Sequence, residues 1–149
     1  MKITKKTYCW ARPLYRRTGK PLGVTWHNAA AVRCTADAIH SWHLANGWSG
    51  FAYHFFVQKD GKVVMGRPEW ALGGHALGAS HWLGVCCEGN YETADKKMPK
   101  AQLEACKWLH SYIHKKYGPL MDRKHRDMPG NSTACPGRWF PMNEITGRG

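Results

Sequence analysis

Phe51-Ala52-Tyr53-His54-Phe55-Phe56-Val57, followed by Lys59-Asp60-Gly61-Lys62 and then Val63-Val64-Met65, is the stretch on which the fold turns. Two aromatic and β-branched runs on either side of Asp-Gly predict a β-hairpin, because both central turn positions accept positive φ there. Alternation along the first strand sends Tyr53 and His54 to opposite faces of the sheet. The hairpin itself is antiparallel, and its flanks decide what kind of sheet it joins.

Upstream, Leu22 to Trp26 reads as a buried strand with His27 at its carboxyl end. A helix is expected from about Thr35 to Asn46. Thr35 is its N-cap, Asp37 complements the positive helix start, Ile39, Trp42 and His43 recur at helical spacing, and Gly47 suits the stop. His40 and His43 read as surface or packing residues. Downstream, Leu83-Gly84-Val85-Cys86-Cys87 reads as another buried strand, ending in Glu88-Gly89-Asn90. A second helix runs from Pro99 to about Tyr117, stopped by Gly118 and Pro119, with Leu103, Cys106, Leu109, Ile113 and Tyr117 as its apolar stripe. Lys107, His110, His114 and Lys115 fall on its wet side. His110 and His114 are a competing metal pair at i, i+4 spacing, but no Glu stands between them as in a metalloprotease helix.

Strands alternating with helices, plus one hairpin, predict an α/β fold with a central mixed sheet flanked by helices. Neither a repeat nor a second-domain boundary is visible. Residues 1–149 therefore read as one domain, with a basic, irregular arm over 1–21 and a core over 22–141.

Composition narrows the class. A chain of 149 residues buries about two thirds of its unfolded surface without needing disulfides. Hydrophobic residues at 43 % and eight tryptophans supply a core and exclude a disordered chain. No run approaches the roughly 20 apolar residues of a membrane span, and Met1-Lys2-Ile3-Thr4-Lys5-Lys6 leads into no apolar signal core. Synthesis in the cytoplasm without a signal peptide, as a monomer, is the expectation. The formal charge of +12 implies a polyanionic partner, either nucleic acid or a bacterial wall with its peptide carboxylates and phosphate polymers. The basic residues are scattered and form no recognised nucleic-acid motif, so no nucleic-acid partner is expected. Six cysteines without a Cys-x-x-Cys pair exclude a zinc ribbon and a thioredoxin-like dithiol, and the five other than Cys135 read as mostly buried thiols.

The metal-binding chemistry gathers toward the C-terminal end. Lys124-His125-Arg126-Asp127 is followed, across a loop rich in Pro, Gly, Asn and Ser, by Thr133-Ala134-Cys135-Pro136-Gly137. Across that loop, an imidazole and a thiolate can face one ion. A third ligand must come from elsewhere, and His27 in Gly23-Val24-Thr25-Trp26-His27-Asn28 is the candidate. Two imidazoles and a thiolate favour zinc, one Zn2+ per chain, and three protein ligands leave a fourth position for water, as in a catalytic site. The segment from Trp70 to Trp82, with Gly73-Gly74-His75-Ala76 and Gly78, reads either as a loop lining a cleft around His75 or as a connector whose histidine has no role.

Taken together, Trp26-His27-Asn28, Tyr53-His54-Phe55, Lys59-Asp60-Gly61, Gly74-His75-Ala76, Leu83-Gly84-Val85 and His125 with Ala134-Cys135-Pro136-Gly137 occur in one order. That order resembles the zinc N-acetylmuramoyl-L-alanine amidases, the type that includes the lysozyme of T-odd phages and the animal peptidoglycan recognition proteins. The resemblance covers roughly residues 22–141. It implies a zinc-bearing groove across a mixed sheet, hydrolysis of the amide between N-acetylmuramic acid and the L-alanine of the stem peptide, and His27, His125 and Cys135 as the metal ligands. By position Tyr53 contacts the reacting centre and Thr133 takes a similar role, while His75, Trp26 and Asn28 are expected at the substrate. Two positions depart from parts of the family. Thr133 stands where the phage lysozyme has a catalytic lysine, and Cys86 where some cytoplasmic relatives have a catalytic glutamate. Glu88 is a weak substitute for that base, with a structural carboxylate as its alternative role.

A single basic catalytic domain without a wall-binding repeat points to a phage or prophage endolysin, acting on the wall after release. A cytoplasmic muropeptide-recycling amidase and a non-catalytic muropeptide-binding module are the alternatives. Retention of Cys135 with both histidines favours an enzyme over the binding module.

Overall fold

A computed structural model describes residues 1–148. Its strands are β1 (Ile3–Lys5), β2 (Gly23–Asn28), β3 (Phe55–Val57), β4 (Val63–Met65), β5 (Leu83–Cys87) and β6 (Met121–Lys124). They form one sheet in the order β1-β4-β3-β5-β2-β6, parallel at every pairing except the β3–β4 hairpin. The helices are α1 (Ala36–Ala45), α2 (Lys100–Tyr117) and α3 (Met142–Thr146), with a single 3-10 turn over His125–Asp127. The expected mixed sheet with flanking helices is the fold observed.

Alternation along the central strands divides the sheet into two faces. Val24 and Trp26 of β2, Phe55 and Val57 of β3 and Leu83, Val85 and Cys87 of β5 pack with Leu109 and Ile113 of α2 and Ile145 of α3. Phe56, Val64 and Cys86 turn to the other face and meet Ala36 and Ile39 of α1, with Tyr53 against them. β2 and β5 are buried along their whole length, as strands covered on both faces must be.

Helix α1 starts as its sequence requires, with Thr35 Oγ1 accepting the Ala38 N–H at 3.1 Å. The hairpin differs from expectation in two ways. Its turn is closed by Gly61 N–H donating to the Gln58 carbonyl at 2.9 Å, and only Gly61 takes a positive φ, +93°, while Asp60 accepts the Lys62 N–H. The regular strand also begins later, at Phe55. Before it the ladder is irregular, with His54 N–H donating to Gly84 O and Gly66 N–H to His54 O. Strict alternation therefore lapses, and the Tyr53 and His54 rings both lie within 6.5 Å of the His75 ring instead of on opposite faces.

Two edge strands depart further from the sequence reading. Ile3–Lys5, assigned to an irregular arm, pairs in parallel with β4. Met121–Lys124 pairs in parallel with β2, although Met-Asp-Arg-Lys has no apolar alternation. Among the described residues all six cysteines are free thiols; Cys86, Cys87 and Cys106 are buried, and Cys9 is exposed.

Candidate metal centre

His27 lies near the carboxyl end of β2, where the strand register sets it beside Cys86 of β5. β6 runs parallel on the other side of β2 and delivers His125 at its exit, at the first position of the 3-10 turn. The loop that follows turns back, and the Arg126 N–H donates to the Cys135 carbonyl at 2.9 Å, which returns Cys135 to the same place. One ligand atom each from His27, His125 and Cys135 lies within 4.8 Å of the others. The His27 and His125 ring centroids are 4.7 Å apart, and Cys135 Sγ is 3.8 Å from His27 Nδ1.

A chain of hydrogen bonds sets the tautomers. The Trp82 carbonyl can only accept, so His75 Nε2, 3.0 Å away, carries a proton and His75 Nδ1 is left as an acceptor. That nitrogen lies 2.9 Å from His27 Nε2, which must therefore be the donor. The lone pair of His27 is thereby fixed on Nδ1, the nitrogen that faces Cys135. Asn131 acts likewise on the second ligand. Its Nδ2 donates to the carbonyls of Leu77, Met128 and Pro129, which leaves Oδ1 to accept from His125 Nε2 at 3.0 Å and puts the His125 lone pair on Nδ1.

Electrostatics favour the same states. Burial, then the neighbouring His75 and His125, hold the His27 pKa well below the usual histidine value, so the ring stays neutral. Burial raises the Cys135 thiol to about 11, opposed by the Asn28 N–H at 3.4 Å from the sulfur, which favours thiolate. A cation would deprotonate that thiol outright. The neutral His27, a second imidazole with its lone pair on Nδ1 and a shielded thiol fit a zinc ion with one coordination position open.

Tyr53 stands beside this cluster, its ring centroid 4.9 Å from that of His27. Burial, with Cys86 and Cys135 nearby, pushes its phenol well above the ordinary value and keeps the hydroxyl protonated. Thr133 is exposed, and its Oγ1 accepts the Cys135 N–H at 3.2 Å, leaving its own proton to be donated.

Of the three residues expected at the substrate, His75 and Asn28 sit against the ligands and Trp26 lies on the other face of the sheet. Trp26 is fully buried on the α2 face, its Nε1–H donating to Asp122 at 2.9 Å, because neighbouring strand residues point to opposite sides. His75 does not line a groove; it is buried behind His27, in space left by Gly73 and Gly84, where an added Cβ would come within 2.5 and 2.6 Å of its ring. Asn28 fastens the Cys135 loop to β2, donating through Nδ2 to the Pro136 carbonyl and accepting the Ala30 N–H at 2.6 Å. Glu88 takes the structural role, accepting the backbone N–H groups of Lys59 and Cys34. Cys86 is wholly buried. Asn131 was missed, since an Asn beside Pro129 and Gly130 reads as a turn former.

Trp48, 45 % exposed, packs on His43, which in turn contacts Tyr53. Arg12, Trp48, Ser49, Ala52 and Arg67 line a cleft of ≈ 240 Å³ there.

The sequence profile of the family described as N-acetylmuramoyl-L-alanine amidase matches residues 17–138. The chain is 35 % identical over 143 residues to the endolysin of Enterobacteria phage T3, covering 85 % of this chain and 92 % of that one. It is 34 % identical over 115 residues to the endolysin of Escherichia phage T7, covering 72 % and 75 %. Among solved structures, the N-acetylmuramoyl-L-alanine amidase LysC from Clostridium intestinale URNW superposes with a TM-score of 0.91 at 34 % identity, over 99 % of this chain and 97 % of that one.

Proposed function

The chain belongs to the N-acetylmuramoyl-L-alanine amidase family, and from that premise we propose that it works as a zinc-dependent endolysin in which His27, His125 and Cys135 hold the metal. It is a peptidoglycan amidase, which hydrolyses the amide between the lactyl group of N-acetylmuramic acid and the first L-alanine of the stem peptide. The observation that carries the zinc assignment is the convergence of three ligand atoms within 4.8 Å with their lone pairs preset.

Held by His27, His125 and Cys135, a zinc ion would supply a water whose pKa is lowered toward about 7 and would polarise the scissile carbonyl. The protein's own groups do the rest. The protonated Tyr53 hydroxyl donates to the oxygen that gains charge as the amide carbonyl is attacked, and Thr133 adds a second, more exposed donor. His75 and Asn131 hold the ligand rings in place. The cleft past Ala52 offers the Trp48 indole as a stacking face and the Arg12 guanidinium to a carboxylate of the stem peptide. The net charge of +12 concentrates the enzyme on an anionic wall. Among the described residues no helix is long and apolar enough to cross a membrane.

The test is zinc content and release of free L-alanine amines from purified peptidoglycan, on the wild type and Cys135→Ser together. One zinc at the Cys135 centre, with amine release that vanishes in the variant, is the expected result. Cleavage that survives in Cys135→Ser, or in protein stripped of metal, overturns the metal assignment. Cleavage of soluble muropeptides but not of intact wall replaces the endolysin by a recycling amidase.

A further inference from the structure

On the sheet face opposite the Cys135 centre, His110 and His114 of α2 close over Asp122 of β6. Both Nε2 atoms point at one carboxylate oxygen, Oδ2, at 2.9 Å and 3.0 Å. The two ring centroids are 4.1 Å apart, and one ligand atom from each of the three residues lies within 4.8 Å of the others. The Asp122 side chain is 2 % exposed, whereas the imidazoles are 19 % and 20 % exposed, so solvent reaches the cluster from one side. The other carboxylate oxygen is held by Trp26 Nε1–H. Burial opposes the charge of Asp122, yet the hydrogen bonds from His110 and Trp26 keep its carboxyl below the ordinary value and therefore ionised.

We propose that His110, His114 and Asp122 form a second cation site, which takes a divalent first-row metal such as zinc through two imidazole nitrogens and one carboxylate oxygen. Two imidazoles and a monodentate carboxylate are a ligand set for such ions, with the remaining positions left to water. Ligand atoms around a tetrahedral zinc stand about 3.3 Å apart, so the contacts of 2.9 Å and 3.0 Å to Oδ2 would lengthen by a few tenths of an ångström. On binding, each imidazole presents the Nε2 lone pair to the metal and carries its proton on Nδ1. For His114 that change displaces the Leu120 N–H, now donated to Nδ1 at 3.2 Å. Leu120 is partly exposed, so its amide turns to water. The ion ties α2 to β6, and through Trp26 to β2, beneath the two strands that present His125 and His27.

A titration of metal-free protein with Co2+ tests this, because a thiolate ligand adds an intense near-ultraviolet charge-transfer band and a nitrogen–oxygen site does not. The wild type should bind two equivalents, one with that band and one with visible d–d absorption alone. His110→Gln and His114→Gln, each checked for native circular dichroism, should lose the second equivalent and keep the band. Cys135→Ser should lose the band and keep the second equivalent. Equilibrium dialysis at micromolar free zinc should give the same counts. Saturation of the wild type at the band-bearing equivalent alone, or a second equivalent that persists in both Gln variants, overturns the proposal. A missing charge-transfer band in the wild type would instead count against the Cys135 centre, leaving this site to be judged by its own variants.

Discussion

A phenol that stays protonated across the working pH range can donate at any moment of the reaction, and the buried Tyr53 hydroxyl is such a group. Tyr53→Phe removes the donor and keeps the ring that packs on His27. Turnover should fall about 100-fold to 1000-fold with zinc content unchanged; full activity in this variant removes Tyr53 from the reaction. His75 acts one step further back. His75→Ala frees the His27 ring to rotate and to take either tautomer, so zinc affinity should fall about 10-fold to 100-fold in a chelator competition. Gly84→Ala should approach the same result by a different route, since its new Cβ would sit 2.6 Å from the His75 ring. If both variants hold zinc as tightly as the wild type, the hydrogen-bond chain from Trp82 is not what presets the ligand.

At the scale of elements, the apolar stripe of α2 was legible because burial and the 3.6-residue period coincide there. Leu109 lies at its centre, fully buried in the core between α2 and the sheet. Leu109→Ala should lower stability by about 2–5 kcal/mol, read as a lower urea midpoint at unchanged slope. β6 was not legible for an equally physical reason. Its polar residues are satisfied by tertiary partners, Asp122 by Trp26 and the two histidines, and Arg123 by the Trp82 ring at 5.4 Å, so an edge strand forms without an apolar pattern. His110 and His114, read as the wet side of α2, face that strand for the same reason. The ligands themselves could be read from donor chemistry, since few residue sets suit zinc. Their supports could not, because His75 and Asn131 act through contacts between loops far apart in the chain. Trp26 shows the limit of reading a motif without its geometry: beside His27 on a strand, it must face away from it.

For the whole molecule, buried neutral histidines link stability to pH. Burial lowers His43 to about 4 and His54 to about 3, against about 6.5 in the unfolded chain. Between those values the unfolded state binds protons that the native state refuses, two at His43 and His54 and more at His27 and His75, which burial also holds low. Stability of the metal-free protein should therefore fall with pH below 6.5, by at least about 3 kcal/mol per unit once the unfolded histidines are charged, until His43 begins to protonate in the fold near pH 4. Urea midpoints at pH 7, 6 and 5 check this, and a flat profile would contradict the burial of both rings as neutral groups. The parallel pairing of β2 with β6, which brings His27 and His125 together, also has a kinetic side. It joins segments separated by most of the chain, and such pairings close late in folding because a long loop must be ordered first. A partly folded chain thus has no preformed seat for the ion, so metal uptake follows folding instead of nucleating it. In a refolding experiment the appearance of bound zinc would mark the arrival of the final strand.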